Sequence, residues 1–122
     1  MSSSLTINEL TPERSKDGTV TVPVLQVSGR LDTHTVSILE KAMSQAMSKN
    51  VKSLVLEMSG LTYVSSSGLR ALLMARREAR ERKGTIMLCA LTPQVRDVFD
   101  MVGFTSLFDI RDTLENGRSA LI

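Results

Sequence analysis

The alternation of hydrophobic and polar residues predicts two strands in the first part of the chain, at residues 5–7 and 20–25. Pro23 cannot donate a hydrogen bond to a neighbouring strand, and the alternation slips at Val24. This pattern indicates a bulge or a sheet edge at that point. Gly29 is expected to end the second strand.

Hydrophobic residues then recur every three or four positions, which predicts helices. The first helix is expected to be capped by Asp32 or Thr33 and to run to about Lys49. The second is expected to span residues 66–83, with Gly84 as the residue that ends it. Its inner side is predicted to carry Leu69, Leu72, Leu73, Arg76 and Ala79.

The remaining elements follow the same rules. They are a buried strand at 54–56, a loop from Ser59, a buried strand at 86–90, a helix capped by Thr92 and stopped by Gly103, a short strand at 107–110 and a last helix capped by Asp112. The order ββαβαβα(β)α predicts an α/β domain with a mixed sheet. The length of 122 residues fits one domain over residues 1–122, in which we expect residues 1–4 to be a disordered N-terminus.

Composition excludes several classes of function. The net charge of +2 and four aromatic residues argue against a nucleic-acid reader. One cysteine and one histidine exclude an internal disulfide and a metal site built from either residue type, so no metal or other cofactor is expected. No apolar run approaches the ~20 residues of a membrane span, and the N-terminus lacks an export signal. We therefore expect a cytoplasmic protein that does not insert into a membrane.

Catalysis is poorly supported. Asp32, His34 and a serine of the run 65–67 supply the residue types of a triad, but no G-x-S-x-G turn occurs. We therefore predict that the protein is not an enzyme. Phosphate-binding glycine motifs are also missing, although a serine-rich helix N-terminus can hold an anion without specificity. Nucleotide binding stays open at this stage.

Six basic residues lie on the second predicted helix. They are interspersed with Glu78 and Glu81 and fall on several faces of the helix. A solvated face that compensates the helix dipole is favoured over a binding patch. These residues are Arg70, Arg76, Arg77, Arg80, Arg82 and Lys83.

Three segments resemble the STAS domains of bacterial anti-sigma factor antagonists. Residues 28–32 (SGRLD) resemble the G-x-L-D signature after the second strand of that family. Residues 64–73 (VSSSGLRALL) resemble its D-S-[ST]-G-L-x-x-[LI]-L phosphorylation segment. Residues 89–93 (CALTP) and 98–104 (VFDMVGF) are similar to its C-A-x-[ST]-P…F-D-x-x-G stretch. The resemblance covers residues 5–121.

The resemblance implies a single STAS-type domain, with helices on one side of a mixed sheet, that acts by partner switching. The unphosphorylated protein would bind an anti-sigma factor that is also an ATP-dependent serine kinase of the GHKL type. Phosphorylation would release it, and a PP2C-type phosphatase would reset the cycle. The phosphoacceptor of the family aligns with Ser66, while the preceding aspartate is replaced by Ser65. Ser65 and Ser67 are therefore fallback acceptors.

The strand ends predict where a partner would bind. Loops that follow neighbouring strands gather at one edge of an open α/β sheet. We therefore expect one partner face made of two segments and a residue of the second helix, namely Gly29, Arg30, Asp32, Thr33 and His34, then Tyr63, Val64, Ser65 and Ser67, and Arg70. The alternative is a STAS scaffold or accessory subunit, as in stressosomes or lipid-transport complexes, in which no serine is phosphorylated.

Overall fold

The computed structural model describes residues 4–14, 20–47 and 51–121. The order of its strands and helices confirms the predicted order. They are β1 (Leu5–Arg14), β2 (Thr21–Leu31), α1 (Val36–Ala46), β3 (Leu54–Val64), α2 (Ser66–Glu81), β4 (Ile86–Cys89), α3 (Pro93–Met101), a short 3₁₀ helix (Phe104–Ser106), β5 (Asp109–Arg111) and α4 (Leu114–Leu121).

The five strands form one sheet in the order β1-β2-β3-β4-β5. β1 and β2 are antiparallel, and all other neighbours are parallel, so the predicted mixed sheet is confirmed. The apolar sides of α1, α2 and α3 share one core with the sheet. The helix α4 lies on the other face, where Leu114 packs against a second cluster that includes Met87 and Cys89. The prediction of helices on one side therefore holds for α1–α3 and is wrong for α4, because Met87 and Cys89 leave an apolar strip on the second face.

The strand β2 ends later than predicted, whereas the irregularity expected near Pro23 is present. The strand continues through Gly29, which has a positive φ of 106°, and a Cβ there would lie 2.4 Å from the Ser4 carbonyl oxygen. Pro23 lies where the pairing with β1 shifts between Leu10 and Glu13, so the bulge is confirmed. The edge alternative is wrong, because β2 is bonded to β1 and β3.

The strand β3 is one element of 11 residues, so the predicted loop from Ser59 is wrong. Its pairing with β2 shifts twice, between Gln26 and Ser28 and again between Gly29 and Arg30. These irregularities accommodate extra residues within the strand, so the pairing with β2 resumes beyond each of them.

The ends of the helices differ slightly from the predicted ones. The N-cap of α1 is Thr35 instead of Asp32 or Thr33, and Lys49 lies outside the described residues. In α4, the Thr113 hydroxyl accepts the amide of Asn116, in place of the predicted cap Asp112.

At the end of α2, the left-handed residue is Lys83 instead of Gly84. A Cβ on Gly84 would lie 1.9 Å from the carbonyl oxygen of Lys52, so close backbone approach explains this glycine. Leu73, predicted on the inner side, is 39% exposed.

At the N-terminus of the chain, the Ser4 carbonyl accepts the amide of Arg30, so Ser4 is held against β2 instead of being disordered. Residues 1–3 lie outside the described part.

Candidate functional site

The two segments predicted to form a partner face lie together at the carboxyl ends of β2 and β3. In the sheet, Arg30 is opposite Tyr63 and Leu31 is opposite Val64. The amide of Ser65 then donates to the carbonyl of Leu31 over 2.9 Å, which fixes the start of α2 to the end of β2. The predicted convergence of the two segments is confirmed, and its cause is the parallel pairing of the strands.

The turn between β2 and α1 is organised by Thr35, a residue that the sequence analysis missed. Its side chain is buried, and its hydroxyl donates to the Arg30 carbonyl over 2.7 Å and accepts the Asp32 amide over 3.0 Å. A carboxylate oxygen of Asp32 accepts the amide of His34 over 2.9 Å. Threonine and aspartate at this spacing commonly satisfy local backbone groups, so the D-x-x-T pattern is the signal that could have revealed the turn.

Arg30 and Tyr63 form an exposed pair on this face. The Arg30 guanidinium carbon lies 4.1 Å from the centre of the Tyr63 ring, which is the geometry of a cation–π contact. Its Nε is also 3.9 Å from a carboxylate oxygen of Asp32. Tyrosine and arginine are enriched among the residues that dominate protein interfaces. The pair therefore presents a positioned cation and an aromatic ring to solvent.

The three serines at the start of α2 have different environments. The Ser65 hydroxyl caps the helix and accepts the amide of Gly68 over 3.4 Å. The Ser67 hydroxyl is 3.0 Å from that of Thr33 and shares a hydrogen bond with it. Ser66 is exposed, and within the described part of the chain its hydroxyl makes no hydrogen bond. Ser66 is thus the serine whose hydroxyl is available to a second protein.

Close packing brings the first turn of α2 against the sheet. Gly68 is buried, and a Cβ at this position would lie 2.7 Å from Cγ of Leu31 and 3.0 Å from Cγ2 of Val64. Only a residue without a side chain lets the helix approach this closely. Ser66 is therefore held at a fixed place relative to the ends of both strands.

Arg70 lies one turn beyond Ser66 on an exposed part of α2. A shallow depression connects both residues with α1 and is also lined by Val36, Glu40 and Met74. Ser66, Ser67 and Arg70 thus share one surface with α1, whereas Val64 is buried in the core below the start of α2, so its side chain is not exposed to a partner.

Other chemistry has little support at this site. Among the described residues, no three His, Cys, Asp or Glu side chains lie close enough together to hold a metal ion. The imidazole of His34 makes no hydrogen bond to any serine in the described ranges, so no serine–histidine pair is assembled. None of the described helices is long and apolar enough to span a bilayer.

Comparison with known proteins gives consistent similarities. Residues 13–117 match the family described as the STAS domain. BtrV of Bordetella bronchiseptica, a proposed anti-sigma factor antagonist, is 32% identical over 94 residues, or 77% of this chain and 81% of that protein. The anti-sigma F factor antagonist of Paenibacillus polymyxa is 28% identical over 101 residues, or 82% of this chain and 86% of that protein. The crystal structure of an anti-sigma factor antagonist from Mycobacterium paratuberculosis, 25% identical, superimposes with a TM-score of 0.76 over 94% of this chain and 93% of that one.

Proposed function

This chain belongs to the STAS domain family, and from that premise we propose that it is an anti-sigma factor antagonist switched by phosphorylation of Ser66. In the unphosphorylated form it binds an anti-sigma factor that is also a serine kinase, which frees the sigma factor. Two relatives that are named as anti-sigma factor antagonists support the antagonist role. The role requires a surface and an acceptor hydroxyl, and no catalytic group of this chain.

The observation that carries the proposal is the state of the Ser66 hydroxyl. Ser65 and Ser67 use their hydroxyls to cap α2 and to bond Thr33. Ser66 is exposed, and its hydroxyl has no hydrogen bond among the described residues. The kinase would transfer the γ-phosphoryl group of ATP to this oxygen: the bond between that phosphorus and the β-phosphate oxygen breaks, the Oγ–P bond forms, ADP leaves, and the hydroxyl proton passes to a base of the kinase.

The physical effect of the phosphate would fall on the partner more than on the fold. A phosphoserine carries about −1.5 to −2 charges at neutral pH. At the N-terminus of α2 it meets free amide groups and the favourable end of the helix dipole. A partner packed over Ser66 would have to desolvate that charge. A loss of ~3–4 kcal/mol in binding free energy would lower affinity by about 100–1000-fold, which is enough for a switch.

Incubation with the cognate kinase and ATP tests the proposal. We expect one phosphate on Ser66 by mass spectrometry and none on Ser66→Ala, which retains kinase binding because only a hydroxyl is lost. Ser66→Asp should bind more weakly than wild type but more strongly than the phosphoprotein. Ser59→Ala is the control, because Ser59 is an exposed serine that bonds Glu57 within β3. Restoration of binding by a PP2C-type phosphatase would complete the cycle.

Two results would contradict the proposal. Phosphate on Ser65 or Ser67 with Ser66 unmodified would reassign the acceptor. The second result is an equal affinity for the kinase in three proteins: wild type, Ser66→Asp and the ATP-treated protein. It would favour the scaffold alternative, in which the domain is an adaptor without a phosphoswitch.

We also propose that phosphorylation blocks binding directly. The start of α2 is tied to β2 through the Ser65 amide and the close approach of Gly68, so it has little freedom to move. Amide NMR shifts on phosphorylation should be confined to residues near 30–34 and 63–70. Large shifts through β4 and α3 would instead indicate an allosteric mechanism, because a ligand-driven change needs two states of different affinity.

A further inference from the structure

One exposed face of α2 carries a continuous row of side chains that starts at Ser66 and runs towards the C-terminus of the helix. The row, here called the α2 stripe, consists of Ser66, Arg70, Leu73, Arg77 and Arg80. Steps of three and four residues place side chains on one face of a helix. The stripe is about 21 Å long at 1.5 Å per residue. It therefore extends well beyond the segments already assigned to the partner face.

Apolar side chains distinguish this face from an ordinary solvated one. Leu73 lies between the arginines of the stripe and is 39% exposed. Leu107, which follows the 3₁₀ helix, is 42% exposed. It is held beside α2 because Nε of Arg76 donates to its carbonyl over 2.9 Å. The Arg76 guanidinium also lies 6.0 Å from the centre of the Phe108 ring. Two exposed leucines thus belong to the segments that this anchored arginine joins.

The charge of the stripe is positive and largely uncompensated. Nε of Arg77 is 3.6 Å from Glu81, but the two side chains are 75% and 68% exposed, so this pair is weak. Among the described side chains, no carboxylate lies within 4.0 Å of Arg70 or Arg80. Arg82, by contrast, is engaged by the carbonyls of Met47 and Val51 and by Glu78. The unpaired cations of α2 are therefore concentrated on the side that also exposes Leu73.

We infer that the α2 stripe and Leu107 bind an amphipathic acidic helix of the anti-sigma factor. This inference rests on the proposed function and names the chemistry of the partner. Carboxylates of that helix would face Arg70, Arg77 and Arg80, and its apolar residues would cover Leu73 and Leu107. A row about 21 Å long matches some 14 residues of partner helix, and a shallow depression bordered by Leu73, Arg76 and Arg80 runs along it.

A protein partner fits this surface better than a nucleic acid does. Exposed leucines contribute nothing to phosphate contacts, and none of the described aromatic side chains lies in the stripe to stack on a base. The net charge of the chain is only +2. An acidic partner also explains how Ser66 would act, because a phosphate at one end of the stripe opposes the carboxylates of the partner and lies one helical turn from Arg70.

Calorimetric titration with the cognate kinase, without ATP, tests the inference. Arg77→Glu and Arg80→Glu should each weaken binding by about tenfold or more, and the loss should shrink at high salt. Leu73→Ser should weaken binding by a similar factor with little dependence on salt. Arg96→Glu, an equal charge reversal at an exposed position of α3, should change affinity less than about twofold. Circular dichroism and urea titration of each variant check that the fold is kept.

The outcomes separate this inference from the proposed function. If Ser66→Asp weakens binding while the three stripe variants bind like wild type, the stripe is not part of the interface and the proposed function stands. If wild type and all variants fail to bind the kinase, the proposed function falls and this inference falls with it. Binding of a duplex DNA oligonucleotide that is lost in Arg77→Glu, with kinase binding unchanged, would assign the stripe to nucleic acid and overturn the inference.

Discussion

The substitution Thr35→Val tests how the turn after β2 is held. Valine keeps the branched shape of threonine but lacks its hydroxyl. Thr35 as a whole is only 2% exposed. That hydroxyl donates to the carbonyl of Arg30 over 2.7 Å and accepts the amide of Asp32 over 3.0 Å. A buried polar group left without its partner costs about 1–3 kcal/mol. Because Asp32 and Arg30 are partly accessible to water, we expect the free energy of unfolding to fall by about 1–3 kcal/mol for both groups together.

Urea unfolding measures this loss, and Thr33→Val is its matched control. Thr33 lies in the same turn, is exposed, and bonds only the hydroxyl of Ser67 in the described part of the chain. Its replacement should cost less than about 0.5 kcal/mol, the usual range for surface positions. Thr35→Val should also weaken kinase binding, because Arg30 would lose its fixed position. Equal stability of the two variants would refute the assigned role of the Thr35 hydroxyl.

Two further predictions concern positions far from the partner face. Gly84→Ala should lower the free energy of unfolding by about 1–3 kcal/mol, because its Cβ would meet the Lys52 carbonyl and the backbone must move; a urea midpoint equal to that of wild type would contradict this. Burial raises the pKa of the Cys89 thiol from 9.0 to about 11, so it should resist a thiol reagent at pH 8 until the chain is unfolded. Above pH 9 the thiol ionises in the unfolded chain before it does in the folded one. The free energy of unfolding of wild type relative to Cys89→Ala should therefore fall as the pH rises towards 11. A difference in free energy between the two proteins that stays constant over this range would count against the raised pKa.

Strong periodicity explains why the order of elements could be predicted, and packing explains the exceptions. Ser59 and Gly60 have the composition of a loop, yet β3 passes through them because pairing with β2 resumes after each irregularity. Leu72 and Leu73 are adjacent, so the helical period alone could not decide which of them faces the core. In the structure α2 turns the side that carries Leu72 and Ala79 towards the core, which leaves Leu73 39% exposed.

The candidate site was predictable in outline because the ends of parallel strands meet at one edge of a sheet. Its details depend on register, which the sequence does not reveal. A register shift places Arg30 opposite Tyr63 directly after Gly29 is opposite Leu61, and this shift creates the cation–π pair. The burial of Thr35 was not predictable from the sequence either, because it results from the way in which the turn closes over the end of β2.

The replacement of the expected aspartate by Ser65 separates two roles that a carboxylate would combine. An aspartate at a helix N-cap accepts backbone amides and also adds a negative charge beside the acceptor serine. Ser65 keeps the first role, since its hydroxyl accepts the amide of Gly68. It lacks the second, so the N-terminus of α2 has more positive potential in which to hold a phosphate on Ser66. A phosphate on Ser66 would then bring a negative charge to a serine run that has none of its own.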